Sequence, residues 1–240
     1  MAVSDMMSRE EFYQALEEAR QPKHGGGHPF SKLWAEGKLS REQLGRWAIQ
    51  HYYYIEQIPQ QFAAFYARLP DLDARQHMLE NLLGEEMPET PEKRHPELLI
   101  KFAMACGLDR SSIEDCEIHE NVLPTSRAMR AWIWELSSIR HIAEASAGIM
   151  VALEGQLPTL YPAYVEAMRK MGFSEDDMEF FHVHIVGDVE HADVGLELAH
   201  RYAATPKLQQ SALATVRASA ALRWSMLDGI HSAVVLDQAA

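Results

Sequence analysis

Three side chains able to bind a metal or move a proton stand four and then three positions apart in HVHIVGDVEH: His184, Asp188 and His191. At about 100° per residue they fall within roughly 60° of one another on one helical face. The same face carries Phe181 one turn earlier and Gly195 and Leu198 later, so the polar trio lies on an apolar seam that should be buried. His182 and Glu190 point elsewhere, toward solvent. No Lys or Arg lies within one turn of Asp188 on this helix. A buried carboxylate without a partner costs on the order of several kcal/mol. Either other side chains satisfy the trio or a metal does.

Three ligands on one helix do not close a catalytic metal site, so further carboxylates or imidazoles are expected on other buried seams. In SSIRHIAEASAGIMVALEG, Ala143, Ala147, Met150 and Val151 share a face, and Glu154 lands on it one turn beyond Met150. Glu144 lies near the same stripe as a lesser candidate. In NLLGEEM, Glu85 follows Met78 and Leu82 at spacings of seven and three, and His95 opens the next helical stretch. Each of these taken singly also fits an ordinary satisfied residue; the triplet on one seam carries more. Carboxylates and imidazoles together suit iron or manganese and suit zinc less well. Such sites inside helical bundles commonly hold two metals. The run Tyr52, Tyr53, Tyr54 reads as packing, since side chains at 100° steps cannot all face one pocket, and Cys106 reads as a small buried hydrophobe.

The elements that must position these residues have helical period almost throughout, so the expected class is all-α. Ser8 with Glu11 and Ser40 with Gln43 are capping boxes that open two helices, the first running to about Arg20, where QPKHGGGHP breaks it. The second continues to about Leu69, with a kink expected before Pro59. Asp71 opens a third that ends near Glu86, and LLIKFAMACGL resumes the pattern. Further helices are expected at roughly 124–136, 138–155, 158–171, 174–203 and 206–236. No linker, repeat or low-complexity tract divides the chain, so residues 1–240 read as a single domain, a bundle of seven to eight helices.

The 240 residues are 47% hydrophobic, enough for a substantial core, and their formal net charge of -13 argues against nucleic acid or an anionic membrane as a partner. The two cysteines, Cys106 and Cys116, make no metal pattern and no disulfide framework. No basic segment followed by an apolar run opens the chain, and no stretch reaches membrane-spanning length, so a soluble cytoplasmic protein is expected.

These residues together resemble the heme-oxygenase-like di-iron oxidases and oxygenases, in the branch near PqqC and the chlamydial protein associating with death domains. HPFSKLWAEGKLSREQL, NLLGEEM followed by HPELL, ALEGQLP and HVHIVGDVEHAD carry the resemblance, which spans most of the chain. It implies a heme-oxygenase-like bundle in which Glu85, His95, Glu154, His184, Asp188 and His191 supply six ligands to two irons, or to a manganese and iron pair. Glu85, Glu154 and Asp188 are then the carboxylates closest to the chemistry. The spacing from Glu85 to His95 is a few residues longer than in the chlamydial protein, which bears on the loop between them.

The resemblance implies a homodimer that uses O2 to oxidise a small organic substrate held in the bundle, with an electron donor that the sequence does not identify. The thiaminase-like branch carries a nucleophilic cysteine on the central helix, and residues 138–158 contain none. PqqC oxidises without metal, whereas the six-ligand set is intact here. The chlamydial protein is similar to a self-sacrificing 4-aminobenzoate synthase that consumes its own tyrosine. After HPF, where that tyrosine belongs, this chain has Ser31, and the lysine of that chemistry is missing near residues 162–164. An external substrate is therefore expected first. Consumption of an internal tyrosine, with Tyr52, Tyr161 and Tyr164 as suspects, is the alternative; a helical interaction module with a vestigial site is a third.

Overall fold

Apolar residues at helical spacing fold into helices α1 (Arg9–Arg20), α2 (Pro29–Ala35), α3 (Arg41–Ile55), α4 (Ile58–Tyr66), α5 (Leu72–Glu86), α6 (His95–Ala105) and α7 (Arg110–Glu114), followed by α8 (Pro124–Ser138) and α9 (Ile142–Ser146). A π-helical stretch, Ala147–Glu154, continues α9 directly; α10 (Leu157–Lys170), α11 (Glu179–Tyr202) and α12 (Pro206–His231) complete the bundle. This is a computed structural model, and it describes residues 5–119 and 121–236, without the side chain of Glu190; the outward position expected for that side chain lies outside the described residues. There is no strand among the described residues. Among the described residues no helix is long and apolar enough to cross a membrane.

Both expected capping boxes are formed, Ser8 with Glu11 and Ser40 with Gln43. The helix count is corrected, from seven or eight to twelve α-helices among the described residues. Proline accounts for two of the extra elements. Pro59 lacks the N–H that would continue α3, so the expected kink is a break and α4 starts anew. Pro29 begins a helix as readily as it ends one, and His28 caps α2 by accepting from the Phe30 N–H at 3.0 Å. The last expected helix also ends differently, in a π turn over Ser232–Leu236.

Two apolar clusters hold the helices together. The larger joins α2, α3, α6, α10 and α11 through Trp34, Trp47, Phe102, Tyr164 and Phe181, with Trp34 stacked on Tyr164 at 4.2 Å between ring centroids. The smaller joins α1, α11, α12 and the π stretch through Phe12, Leu16, Val151, Ala199 and Val216. The π winding displaces carbonyls from ordinary helical partners, and side chains take them up, one from α1 and one from just beyond the stretch. Arg20 of α1 donates to the Val151 carbonyl at 2.8 Å, and Gln156 Nε2 donates to the Ala152 carbonyl at 2.9 Å. Gly195 lets α11 lie against this stretch, since a Cβ there would stand 2.5 Å from Met150 Cβ.

Candidate metal centre

Four elements bring the six sequence-predicted side chains into two adjacent sets. Glu85 from the end of α5, His95 from the start of α6 and His184 from α11 form one; Glu154 from the π stretch, with Asp188 and His191 from α11, forms the other. Within each set one ligand atom per residue lies within 4.8 Å of the others. The helical spacing of four and three explains the division. His184 sits a turn above Asp188 and His191 and faces a different pair of neighbouring elements. The loop from Glu85 to His95 turns through Met87 in the left-handed region, φ 40°, and a 3-10 turn at Pro91–Lys93. It leaves His95 Nδ1 3.0 Å from Glu85 Oε2. The glutamate pair splits: Glu85 turns inward, while Glu86 pairs with Arg94 at 2.7 Å.

The hydrogen bonding of these groups fits a metal. His184 Nδ1–H donates to the Phe180 carbonyl at 2.6 Å, which fixes the ring and leaves Nε2 with a free lone pair. His191 Nδ1 is 3.2 Å from Asp188 Oδ1 and 3.6 Å from Glu154 Oε2. His95 Nδ1, Glu154 Oε2 and Asp188 Oδ2 are buried without a hydrogen-bond partner. None of the three carboxylates forms an ion pair with Lys or Arg among the described residues. Three orphaned donor atoms converging on two points are costly in a protein interior and are what a pair of cations would satisfy.

The metal-free chain manages these charges by protonation. Burial, reinforced by the neighbouring Asp188 and Glu85 charges, raises Glu154 to about 8. Burial also drives Asp188 well above the usual carboxylate range, with Glu85 adding to it. His184 is lowered to about 3 by burial and by the facing His95. For Glu85, burial works upward, but His95 beside it outweighs burial and the carboxyl is lowered. His95 is raised because Glu85 outweighs its burial. Without cations one ion pair, Glu85 with His95, is retained and its buried neighbours favour neutrality.

The other expectations fall as follows. Glu144, the lesser candidate, is committed elsewhere: it accepts from Ser211 Oγ at 2.7 Å and from the His141 N–H at 3.0 Å as a helix cap. His182 lies off the seam and pairs with Glu175 at 3.0 Å. Cys106 is buried, as expected of a small hydrophobe. Tyr52 is corrected as a suspect near the chemistry, because it lines a surface groove with Glu56, Glu114 and Glu117. Tyr54, two residues on, faces the centre instead.

A cavity of about 50 Å³ adjoins both sets, lined by Glu85, Glu154, His184 and Asp188 and closed by Tyr54, Arg223 and aliphatic side chains. Behind it His51, Tyr54 and Tyr161 form a buried network, with the Tyr54 hydroxyl 3.1 Å from His51 Nδ1 and the Tyr161 hydroxyl 3.4 Å from His51 Nε2. Sequence reasoning missed Tyr54 and Arg223 as cavity groups, and His51 as the residue behind them. The signal available for Arg223 was the one used for Glu154, a charged residue on an apolar stripe, here between Ala220 and Met226.

The sequence model of the iron-containing redox enzymes matches residues 45–224. A 4-aminobenzoate synthase of Nitrosomonas europaea is 31% identical over 236 residues, covering 94% of this chain and 93% of that protein. A pyrroloquinoline-quinone synthase of Granulibacter bethesdensis is 28% identical over 233 residues, covering 96% and 89%. A solved domain from Shewanella denitrificans with a heme oxygenase-like fold superposes with a TM-score of 0.76 at 17% identity, covering 98% of this chain and 96% of that one. That likeness shows the same all-helical fold.

Proposed function

Because the chain belongs to the family of iron-containing redox enzymes, we propose that it is an O2-dependent oxidoreductase that holds two irons and oxidises a small organic molecule in the adjoining cavity. One iron belongs with Glu85, His95 and His184, and the other with Glu154, Asp188 and His191. The observation that carries this reading is the pair of adjacent sets, each with at least one buried ligand atom that lacks a hydrogen-bond partner. Iron bound there supplies Lewis acidity and redox chemistry toward O2. The chain supplies the rest. Its three carboxylates balance cationic charge, the Phe180 carbonyl holds the His184 ring in orientation, and the aliphatic wall limits water around the reacting atoms.

Anaerobic reconstitution with Fe(II) followed by desalting tests the proposal, and about two irons per chain are expected to remain bound. Adding O2 should then consume it and change the visible spectrum. A chain that keeps no iron would leave a helical interaction module as the better reading.

A second reading is the oxidation of a tyrosine of the chain itself. It is favoured by Tyr54 on the cavity wall and by the Tyr161 ring, 6.1 Å from that of His184. Against it stands Ser31, which is buried beside Tyr164 and offers no ring. Intact-protein mass spectrometry after one turnover with Fe(II), O2 and a reductant separates the two. Loss of a tyrosine side chain with release of 4-aminobenzoate supports self-sacrifice, and an unchanged mass with continuing O2 consumption supports an external substrate.

A further inference from the structure

Arg223 is a cation placed where the fold gives it no anion. It lies on α12 in a stripe with Ala220, Met226, Leu227 and Ile230, is 4% exposed, and is the only Lys or Arg among the residues lining the cavity. Among the described residues no carboxylate lies within ion-pair distance of it. Its Nη1 donates to the Tyr54 hydroxyl, and its Nε has no partner. Leu or Met would pack in such a stripe without the cost of burying a guanidinium, so an uncompensated cation facing a cavity implies an anion that arrives from outside.

We propose that Arg223, with the Tyr54 hydroxyl, binds the carboxylate of a small monocarboxylic acid whose apolar body lies against Ile55, Ile58, Ile133, Ile149 and Leu153. The planar fork of a guanidinium matches a carboxylate, and the unpartnered Nε leaves one arm of that fork unused by the protein. One guanidinium in the lining matches one carboxylate on the ligand, and no second Lys or Arg among the described residues lines the cavity to pair with another. A volume of about 50 Å³ restricts the ligand to a few carbons unless the aliphatic wall yields. The inference deepens the proposed function by naming its substrate class, and it rests on reading this cavity as the reaction chamber.

Butyrate and its neutral isostere butyramide are the probes, titrated calorimetrically into the full-length chain at matched ionic strength, metal-free and iron-loaded. The metal-free form separates pairing with Arg223 from coordination to iron. Butyrate is expected to bind at least about ten-fold more tightly than butyramide in the metal-free chain, and Arg223→Met should abolish that preference while Arg223→Lys keeps part of it. Equal binding of the two probes, no binding of either, or a preference that survives Arg223→Met overturns the site. If Arg223→Met does not fold, the contrast between the two probes in the unaltered chain decides alone. Iron content measured on the same samples keeps the two proposals apart. Two bound irons without a butyrate preference defeats the carboxylate site only, and a butyrate preference in a chain that holds no iron defeats the oxidoreductase only.

Discussion

His95 Nδ1 stands 3.0 Å from Glu85 Oε2, yet the ring nitrogen is off the line of a hydrogen bond and has no partner that meets its geometry. Two groups this close and misaligned face a common point more than they face each other. The arrangement joins the end of α5 to the start of α6 and leaves room for a third participant, His184, whose ring centroid is 4.5 Å from that of His95.

The two sets should lose metal separately. Glu85→Gln or His95→Gln is expected to lower bound iron from about two to about one per chain, because the Glu154, Asp188 and His191 set keeps all three of its donors. Asp188→Asn or His191→Gln should remove the other ion. Iron analysis after anaerobic reconstitution checks this, and full retention in all four variants would refute the assignment.

The Glu154 carboxyl should make a contribution to the stability of the metal-free chain that declines as pH rises. Glu154 has its carboxyl raised to about 8 in the fold, above the ordinary value of 4.5, so the native state binds more protons than the unfolded state between those values. That contribution is fully present below about 4.5 and falls as pH climbs toward 8, by about 5 kcal/mol for this group acting alone. Glu154→Gln should flatten the fall in melting temperature across that window. Iron loading at pH 7 should correspondingly release protons into a weakly buffered solution.

Gly195→Ala should disturb one set more than the other. Its new Cβ would stand 2.5 Å from Met150 Cβ, so α11 must move off the π stretch at a cost of about 1–3 kcal/mol. That shift separates Asp188 and His191 from Glu154 across the same contact. Denaturant unfolding should show the loss, and iron should fall chiefly in the Glu154 set, with occupancy of the Glu85 set preserved.

Arg20→Met should act at a distance. It removes the donor to the Val151 carbonyl and leaves that buried oxygen unsatisfied, costing about 1–3 kcal/mol in unfolding free energy. The π stretch is then less firmly held, and weaker iron retention than in the unaltered chain is expected under a competing chelator. Equal stability and equal retention would show that the π winding does not depend on α1.

Much of this was legible in the sequence because it is written within single helices. Polar residues that interrupt an apolar period, as His184, Asp188 and His191 do on one seam and Glu154 does on another, mark a buried polar site without any knowledge of the neighbours. Capping boxes at Ser8 and Ser40 are likewise four-residue signals. The all-helical class follows from the same periodicity.

What periodicity does not contain is which seam faces which. That His184 joins Glu85 and His95, while Asp188 and His191 join Glu154, depends on where α5, α6 and the π stretch meet α11, and those meetings are set by close approaches such as Gly195 against Met150. The π winding itself was invisible, since the Val151 carbonyl in it is satisfied by Arg20, 131 residues away in the chain. Arg223 and Tyr54 met at the cavity for the same reason, being 169 residues apart. A helix's own sequence fixes its polar and apolar faces through a local repeat, but a site shared among helices exists only once packing has chosen their neighbours.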